Sequence, residues 1–448
     1  MADSKPPSAQ EAGSTPATSA SNPASSGTSY KAPKPNPAFR MMGIPVIPRK
    51  LPSRNWMIFF AITGTISAAI IYDKREKKRA TARWSKAVSH LAHEPLPNPN
   101  QLPRKLTIFL ESPPNDGLRV AQDHFTEYVK PVLAASGLDW EFVQGRKEGD
   151  IRAAVAERIR RTRQPETGSQ TQDEVVQEIR RKNGTPEYHG VRGDIVIGRH
   201  TWKEYVRGIH EGWLGPLTPP PLPEPEVKNT EETTTPEGSE GEKQEPKPEE
   251  KPEQKPERPP QPPPYNTPMD YPTSPLPMLI PAEFSPSAPI PFPHILGFSN
   301  TFIRLRRFLN RRYLADDIGR EVAAVCLAAA REYREDADLT RSEQQTVLEH
   351  EERDWPKSVW KDEKPKEGEE TAAAATPPRE KIWASPIVLD PRIAMRMRRF
   401  EIQPEEEARA KEIIVPEEEI EGWIKGSIRS LCRWIVSKPE PNPSWPDE

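Results

Sequence analysis

The distribution of proline constrains this chain more than any other feature of its sequence. The 448 residues include 56 prolines, one residue in eight, against a usual proline content of about 5%. Sixteen of them fall within the 49 residues 216–264, and residues 221–260 hold twelve Glu against six Lys or Arg. This composition is typical of extended, solvated chain. A single compact domain of this length is therefore excluded, and residues 216–293 are predicted to be a Pro/Glu-rich linker or insertion.

The N-terminal residues 1–55 are predicted to be a disordered basic leader. They are rich in Ser, Ala, Pro and Thr, and no acidic residue occurs between Glu11 and Asp73. Large apolar side chains are too few there to form a core. A Ser-rich, basic segment that lacks acidic residues, as residues 12–55 do, is typical of mitochondrial targeting segments. An ordinary disordered tail has the same composition.

Residues 56–72 are predicted to form one transmembrane helix. The run from Trp56 to Tyr72 contains no charged residue, while the chain as a whole is 29% charged. At 1.5 Å per residue it covers about 26 Å, and the flanking Arg54 and Lys74 can snorkel to reach both edges of a bilayer. Basic residues lie on both sides of the run, so the flanking charges do not decide the orientation.

Residues 100–215 are predicted to be an α/β domain with a parallel sheet. Short apolar runs at 105–110, 140–143 and 194–197 have the composition of strands. Segments with apolar residues at helical spacing lie between them, and Gly137 stands where a helix C-terminus favours glycine. A β-α-β-α-β order favours an open parallel sheet, whose ligand site lies beyond the carboxyl ends of the strands.

Polar residues near these strand ends are candidates for a catalytic set. They are two acidic residues and two histidines: Asp150, Asp194, His200 and His210. No partner falls at a recognisable catalytic or metal-ligand spacing. The sequence instead favours Asp194 as the start of a strand and the histidines as exposed residues on a loop or helix. No catalytic residue, cofactor site or metal site is therefore predicted.

The α/β domain resembles the nucleotide-binding half of the diacylglycerol-kinase-type lipid kinases in the order and spacing of its strands. In that family Asn-Pro-x-Ser-Gly follows the first strand and Gly-Gly-Asp-Gly-Thr follows the third. Here residues 111–117 read ESPPNDG, and the third strand is followed by Gly198-Arg199-His200-Thr201. Side chains at 199 and 200 obstruct the close backbone approach that phosphate needs. The resemblance therefore implies a degenerate, non-catalytic kinase-like fold.

Residues 294–436 are predicted to be a helix-rich C-terminal unit with a disordered insertion at about 361–380. One helix is predicted after Asn300, with Phe302, Leu305 and Leu309 facing inward. Its arginines can contact anionic lipid head groups or form a solvated, ion-paired face; they are Arg304, Arg306, Arg307, Arg311 and Arg312. A helix opening at Pro416 carries an apolar stripe suited to docking on its own domain or on a partner.

Composition excludes several classes of protein. Two cysteines, Cys326 and Cys432, provide neither a disulfide framework nor a zinc site, and both stand in apolar helical contexts typical of buried thiols. The net charge of −3 gives no basic field for nucleic acid.

Three stretches, residues 36–56, 193–217 and 294–326, resemble a fungal mitochondrial family, the import inner membrane translocase subunit fifty-four. This is the large subunit of the carrier translocase. The resemblance implies a single-pass inner-membrane protein, with its C-terminal bulk in the intermembrane space. It also implies a structural and docking role in the complex that inserts multi-spanning carrier proteins. The implied partners are the pore-forming and other inner-membrane subunits, small intermembrane-space chaperones, the inner membrane's ATP-dependent protease and the lipid membrane.

Two alternative functions follow from the residues. A membrane-anchored acylglycerol or diacylglycerol kinase needs a phosphate cradle, which residues 198–201 do not provide. An adaptor acting through the proline-rich stretch depends on residues 218–264, so deleting them distinguishes that function from the others.

Overall fold

The computed structural model describes residues 53–95, 100–164, 172–185, 188, 190–219, 261–335, 341–361 and 380–436. Three predicted segments lie largely outside the described residues. They are the leader, except for residues 53–55, the part of the linker from 220 to 260, and the insertion from 362 to 379. The chain divides into two units, residues 1–64 and 65–448. Of the first unit, the structure describes residues 53–64.

The helices of the described part range from one turn to 35 residues in length. In chain order they are α1 Arg54–Val88, α2 Leu118–His124, α3 Lys130–Ser136, α4 Asp150–Arg163, α5 Gln172–Lys182, α6 Arg199–Leu214, α7 Thr301–Phe308, α8 Arg311–Cys326, α9 Glu343–Thr346, α10 Pro391–Ala394, α11 Pro404–Glu412, α12 Glu417–Ile420 and α13 Trp423–Val436. A π-helical segment, Phe125–Val129, joins α2 to α3, and short 3₁₀ turns occur at Ser89–His93, Pro268–Asp270, Phe298–Asn300 and Glu349–Asp354.

Helix α1 contains the predicted transmembrane run. Among the described residues it is the one helix long and apolar enough to cross a bilayer. Large apolar side chains along the run, including Phe59, Ile62, Ile66 and Ile71, are exposed. The run itself has no polar face, which is the pattern typical of a membrane span.

Six strands form one sheet in the order β2-β1-β3-β4-β6-β5. They are β1 Lys105–Glu111, β2 Asp139–Gly145, β3 Asp194–Ile197, β4 Ser287–Ile290, β5 Ala330–Glu332 and β6 Arg398–Phe400. All neighbouring pairs are parallel except β5 with β6. The predicted mixed α/β class with a parallel sheet is confirmed.

Strand β4 lies in the proline-rich segment and was not predicted as a strand. Pro289 pairs with Val196 of β3 although it has no N–H to donate. The backbone carbonyls of Pro286 and Ile290 accept hydrogen bonds from the N–H groups of Asp194, in β3, and Gly198, just after it. The N–H position of residue 289 therefore faces β6 instead. On that side the pairing consists of Ser287 with Arg399. Proline is tolerated here because no ladder bond is required of it.

The sheet is covered on both faces, as in doubly wound folds. One face packs against the second half of α1, α2, α3 and α8, with core residues such as Ile108, Leu133 and Val322. The other packs against α4 and α6, around Phe109, Trp202 and Ile393. Alternate residues of β1 point to the two layers, as the two-residue period of a strand requires.

Helix α1 continues beyond its apolar run and packs against α8. The Trp84 indole N–H donates to Asp316 at 2.7 Å. A side chain at Gly319 would meet the Trp84 ring at 2.3 Å, so glycine allows the two helices to approach this closely. The extension of the candidate membrane helix is thus part of the core of the second unit.

The segments predicted as two folded units, 100–215 and 294–436, both contribute strands to this sheet. Their folding as separate domains stays a prediction. The polar insertion at 164–190 contains helix α5. The helix predicted to open at Pro416 is divided, since α12 ends at Ile420 and α13 begins at Trp423.

One prediction about the C-terminal unit is wrong. Phe302 and Leu305 were expected to face inward, yet α7 buries no residue and Phe302 is 85% exposed. The helical spacing was recognised correctly, but no described segment of the chain covers this face. Helix α8 buries Ile318, Val322, Val325 and Cys326, and the burial of Cys326 agrees with the prediction of a buried thiol.

Candidate functional site

The carboxyl ends of β1, β3 and β4 meet at one edge of the sheet, where parallel α/β folds usually bind ligands. Strand β3 ends at Ile197, and Gly198 leads directly into α6. Gly198 has φ +88°, and a Cβ there would lie 2.7 Å from the His200 ring. The predicted glycine position is therefore a tight turn at the N-terminus of a helix, which is the usual location of a phosphate group.

A carboxylate of the protein occupies the N-terminus of α6. Glu351 lies in the 3₁₀ turn 349–354 and is 3% exposed. Its two oxygens accept hydrogen bonds from the backbone N–H groups of Arg199, at 2.9 Å, and Phe292, at 2.6 Å. Burial raises the pKa of Glu351 to about 7, although these two amides favour the ionised form. The amides that a nucleotide phosphate would use are thus already paired.

The cations at this edge are paired within the chain as well. The Arg199 guanidinium donates to Glu352 at 2.7 Å and to the Val347 carbonyl at 2.6 Å. The Lys203 ammonium donates to the carbonyls of Trp383 and Ser385 and contacts Glu352 at 3.0 Å. Both side chains are buried. Arg199 and Lys203 therefore hold the C-terminal segments onto α6.

A second buried carboxylate occupies the N-terminus of α4. Glu204 of α6 accepts hydrogen bonds from the backbone N–H groups of Gly149, Ile151 and Arg152 at 2.6, 3.1 and 3.2 Å. Burial raises its pKa to about 7. The helix dipole and the three donors stabilise the negative charge. The two helices on this face of the sheet are therefore joined by an internal cap.

Glu111, the last residue of β1, lies beside Glu204. It is fully buried, and neither of its carboxyl oxygens receives a donor from a neighbouring group. Burial, followed by the charge of Glu204, raises the pKa of Glu111 far above the usual glutamate range. Glu111 therefore keeps its proton to higher pH than an ordinary glutamate and, when protonated, can donate it to the Glu204 carboxylate.

The predicted exposure of the two histidines is wrong, because C-terminal segments cover α6 along its whole length. The His200 Nε2–H donates to the Glu111 carbonyl at 3.2 Å. His210 accepts from the Asp390 N–H at Nε2, at 3.0 Å, so its Nδ1–H donates to the Val206 carbonyl. Burial lowers the pKa of each histidine to about 4. Both are neutral structural residues near pH 7.

The two predicted aspartates do not join them. Asp194 begins β3 as expected and accepts a hydrogen bond from the Tyr205 hydroxyl at 2.8 Å. His200 follows the opposite end of the same strand. Asp150 accepts from the backbone N–H groups of Arg146 and Lys147 and so closes the turn before α4. The four candidates therefore have separate structural roles.

Sequence reasoning missed the three glutamates that define this edge. Glu111 and Glu204 carried a usable signal, since each is an acidic residue in an otherwise apolar strand or within a helix rich in aromatic residues. Glu351 carried none, because it lies in the acidic run EHEERD at 349–354. Within the described residues, no group of three or more His, Cys, Asp or Glu side chains is arranged to hold a metal ion.

Comparison with known proteins identifies the family. The family model described as inner membrane protein import complex subunit Tim54 matches residues 36–400. The chain belongs to the Tim54 family. This confirms the resemblance seen in the sequence.

Several fungal members of the Tim54 family match this chain over most of their length. The protein named mitochondrial import inner membrane translocase subunit tim54 from Neurospora crassa is 55% identical, over 90% of this chain and 88% of its own length. The protein of the same name from Aspergillus oryzae is 47% identical, over 81% and 87% respectively. The Saccharomyces cerevisiae TIM54 subunit is 27% identical, over 83% and 95%.

The Tim54 match ends with the sheet. Residue 400 is the last residue of β6, so the matched region includes the apolar run and all six strands. Helices α11, α12 and α13 follow the matched region. The carboxyl edge of the sheet, with its capping residues Glu351 and Glu204, is therefore built entirely from residues within the Tim54 match.

Proposed function

We propose that this chain is a structural and docking subunit of the mitochondrial inner-membrane translocase that inserts multi-spanning carrier proteins. Its membership of the Tim54 family carries the proposal. The paired amides and cations at the carboxyl edge of the sheet support a scaffold role rather than a catalytic one. In this role the soluble part stabilises the complex from the intermembrane space.

We further propose that the chain crosses the inner membrane once, through residues 56–72, with its C-terminal bulk in the intermembrane space. The exposed apolar side chains of α1 support the single span. The orientation rests on the family alone, since the flanking charges are balanced. Protease added to mitoplasts is expected to digest a C-terminal epitope. Survival of the epitope after rupture of the outer membrane places the domain in the matrix and contradicts the orientation.

The proposed partners are the pore-forming subunit, other inner-membrane subunits and the small intermembrane-space chaperones. The inner membrane's ATP-dependent protease is a further proposed partner. Nucleic acid is not among them, since the net charge is −3.

The translocase role is tested by depletion in a fungal strain in which this chain replaces the resident family member. We expect the native-gel band of the carrier translocase to shrink or disappear, and insertion of a carrier protein to fall severalfold. Import of a matrix protein with a cleavable presequence serves as the control and is expected to stay near its normal level. Normal carrier insertion after full depletion contradicts the proposal.

The alternative function, an acylglycerol or diacylglycerol kinase, is not supported. Glu351 holds the amide at the N-terminus of α6, and Pro113 and Pro114 each remove an N–H from the loop after β1. A degenerate kinase-like shell for residues 100–215 remains our hypothesis about the origin of the fold. Lipid phosphorylation by the purified full chain that is abolished by Asp194→Ala or Arg199→Ala would support the kinase hypothesis.

The adaptor alternative is tested without disturbing the fold. Pro262 lies within the described residues and its carbonyl accepts a hydrogen bond from Arg152, so the residues from 261 onward have to be kept. Replacing residues 221–260 by a Gly/Ser segment of equal length is expected to leave carrier insertion unchanged. Loss of insertion with an intact fold favours the adaptor.

A further inference from the structure

Helix α7 presents an apolar face that no described part of the chain covers. Phe298, just before the helix, is 94% exposed, Phe302 is 85% exposed and Leu305 is 52% exposed. At 100° per residue these three side chains fall on one side of the helix. Single exposed apolar side chains are common on protein surfaces, but three large ones together, on α7 and just before it, are typical of an interaction surface.

The opposite side of α7 is attached to the protein. Arg307 donates to Asp354 at 2.6 Å, and Asp354 ends the 3₁₀ turn that carries Glu351. Arg307 lies about half a turn around the helix from Phe298. The apolar face therefore points away from the body of the second unit.

Helix α7 ends at the level at which the candidate membrane span ends. The backbone N–H groups of Arg311 and Arg312 donate to the carboxylate of Asp73 at 3.2 and 3.3 Å. Asp73 is the first charged residue after the apolar run. The Arg312 guanidinium lies 5.4 Å from the centre of the Tyr72 ring. The junction between α7 and α8 is thus joined to the last residues of the span.

The direction of α8 places α7 on the membrane side of this junction. From Asp73, α1 runs away from its apolar segment towards Trp84. Along α8, Arg312 contacts Asp73, whereas Asp316 and Gly319 contact Trp84. Helix α8 therefore leads away from the end of the span, and α7, which precedes it, stays beside that end.

The charge of the segment matches an anionic surface. Residues 298–312 contain five arginines and no acidic residue. Three of them form ion pairs with carboxylates elsewhere in the chain, namely Arg307 with Asp354, Arg311 with Glu127 and Arg312 with Asp73, so Arg304 and Arg306 are the two that can meet lipid head groups. Apolar and aromatic side chains on one face of a helix, with arginine around them, are typical of helices that lie in the lipid–water interface. A protein partner requires no such excess of positive charge, whereas anionic lipid head groups attract it.

We propose that α7 lies flat in the membrane interface beside the span, with Phe298, Phe302 and Leu305 among the lipid chains and with Arg304 and Arg306 bound to anionic head groups. This second attachment fixes the tilt of the soluble unit relative to the membrane. The proposal requires only that residues 56–72 cross a bilayer, so it does not depend on the translocase role.

The test uses the full chain reconstituted in vesicles with an environment-sensitive fluorophore at Phe302→Cys. The chain carries Cys432→Ser, and Cys326 is buried, so it stays unlabelled while the protein is folded. A labelling ratio above one per chain therefore reports unfolding. Met269→Cys is the matched control, because Met269 is 88% exposed and belongs to the segment packed on the other face of the sheet.

In phosphatidylcholine vesicles containing phosphatidylglycerol, we expect the label at 302 to be quenched severalfold more by shallow doxyl lipids than by aqueous iodide. The label at 269 should show the opposite ratio. Arg304→Glu together with Arg306→Glu should reduce lipid quenching at 302 at least twofold. Iodide quenching at 302 equal to that at 269 overturns the proposal. Protection from both quenchers also overturns it, since a protein surface then covers α7.

Discussion

At the residue scale, the chemistry of this molecule is set by three buried glutamates at the carboxyl edge of the sheet. Glu351 and Glu204 accept backbone N–H groups at the start of two helices, and Glu111 is held neutral beside Glu204. A helix N-terminus attracts anions from solution only when its amides are free. In this protein the anion is a side chain of the same chain, so this edge forms a structural joint that holds separate segments of the chain together.

Glu351→Ala tests this joint directly. The substitution leaves the buried N–H groups of Arg199 and Phe292 without acceptors, at about 1–3 kcal/mol for each group. We expect the full chain in detergent to lose about 2–6 kcal/mol of unfolding free energy, measured by denaturant titration of tryptophan fluorescence.

The matched control is Glu349→Ala in the same turn. Glu349 forms an exposed ion pair with Arg341 at 3.3 Å, and such pairs contribute about 0–1 kcal/mol. Equal losses for the two variants would show that Glu351 has no special capping role.

Glu111→Gln tests the protonation of the buried pair. An unfolded glutamate loses its proton near its ordinary pKa, whereas folded Glu111 retains it because burial raises its pKa. The folded state then binds more protons, so the stability of the wild type falls as the pH rises above the ordinary glutamate range. Glutamine stays neutral and removes this dependence.

We therefore expect the stability gain of Glu111→Gln over the wild type to grow as the pH rises above the ordinary glutamate range. Buried histidines act in the opposite direction, since burial lowers the pKa of His124, His200 and His210 to about 4. They are common to both chains, so their effect cancels in the difference. A gain that is independent of pH would mean that Glu111 is ionised in the folded state.

At the scale of secondary-structure elements, α4 and α6 form the layer that carries this edge. They pack closely because α6 has Gly208 and Gly212 on the contact face. A Cβ at Gly208 would lie 2.8 Å from the Arg152 carbonyl oxygen, and one at Gly212 would lie 2.7 Å from the Ile159 Cβ. Backbone at that distance cannot rotate away as a side chain can, so glycine is required for the two helices to touch.

Gly208→Ala is expected to destabilise the full chain. Overpacking in a core costs about 1–3 kcal/mol, which outweighs the gain of up to about 1 kcal/mol that alanine gives a helix. Gly426→Ala in α13 is the control, because nothing lies within 4 Å of its added Cβ. That variant should be neutral or slightly more stable, and a loss of stability for it as large as that for Gly208→Ala would contradict the packing argument.

The elements also show what the sequence can and cannot predict. Strands β1, β2 and β3 were predicted because each is a short apolar run bounded by turn residues. Strand β4 was missed because Pro289 normally excludes a central strand, and its tolerance depends on how little of β6 pairs beside it. The burial of α6 was missed because its partners, such as Gln344 and Asp390, are more than 100 residues away in sequence.

At the scale of the whole molecule, one helix contains both the candidate membrane span and part of the folded core. The apolar run of α1 is exposed, whereas its later residues Trp84 and Val88 belong to the core against the sheet. This suits a subunit whose proposed role is to hold other proteins in place at a membrane.

Ile66→Arg tests the anchor. It places a charge near the middle of the bilayer and costs about 2.5–3.5 kcal/mol on insertion scales. We expect loss of carbonate-resistant membrane association, with Ile66→Leu as the control that keeps it. Full retention of Ile66→Arg in the carbonate-resistant fraction would mean that another segment anchors the protein.

The central claim is that this sheet is closed at its ligand edge and acts as a scaffold. The most direct test is the thermal unfolding midpoint of the purified full chain with increasing Mg-ATP. A native-state ligand stabilises a protein by about 2.7 kcal/mol at 100 times its dissociation constant. Because Glu351 and Glu204 already hold the helix N-termini, we predict no concentration-dependent rise in the midpoint. A saturable rise that Arg199→Ala abolishes would show an open nucleotide site and contradict the account.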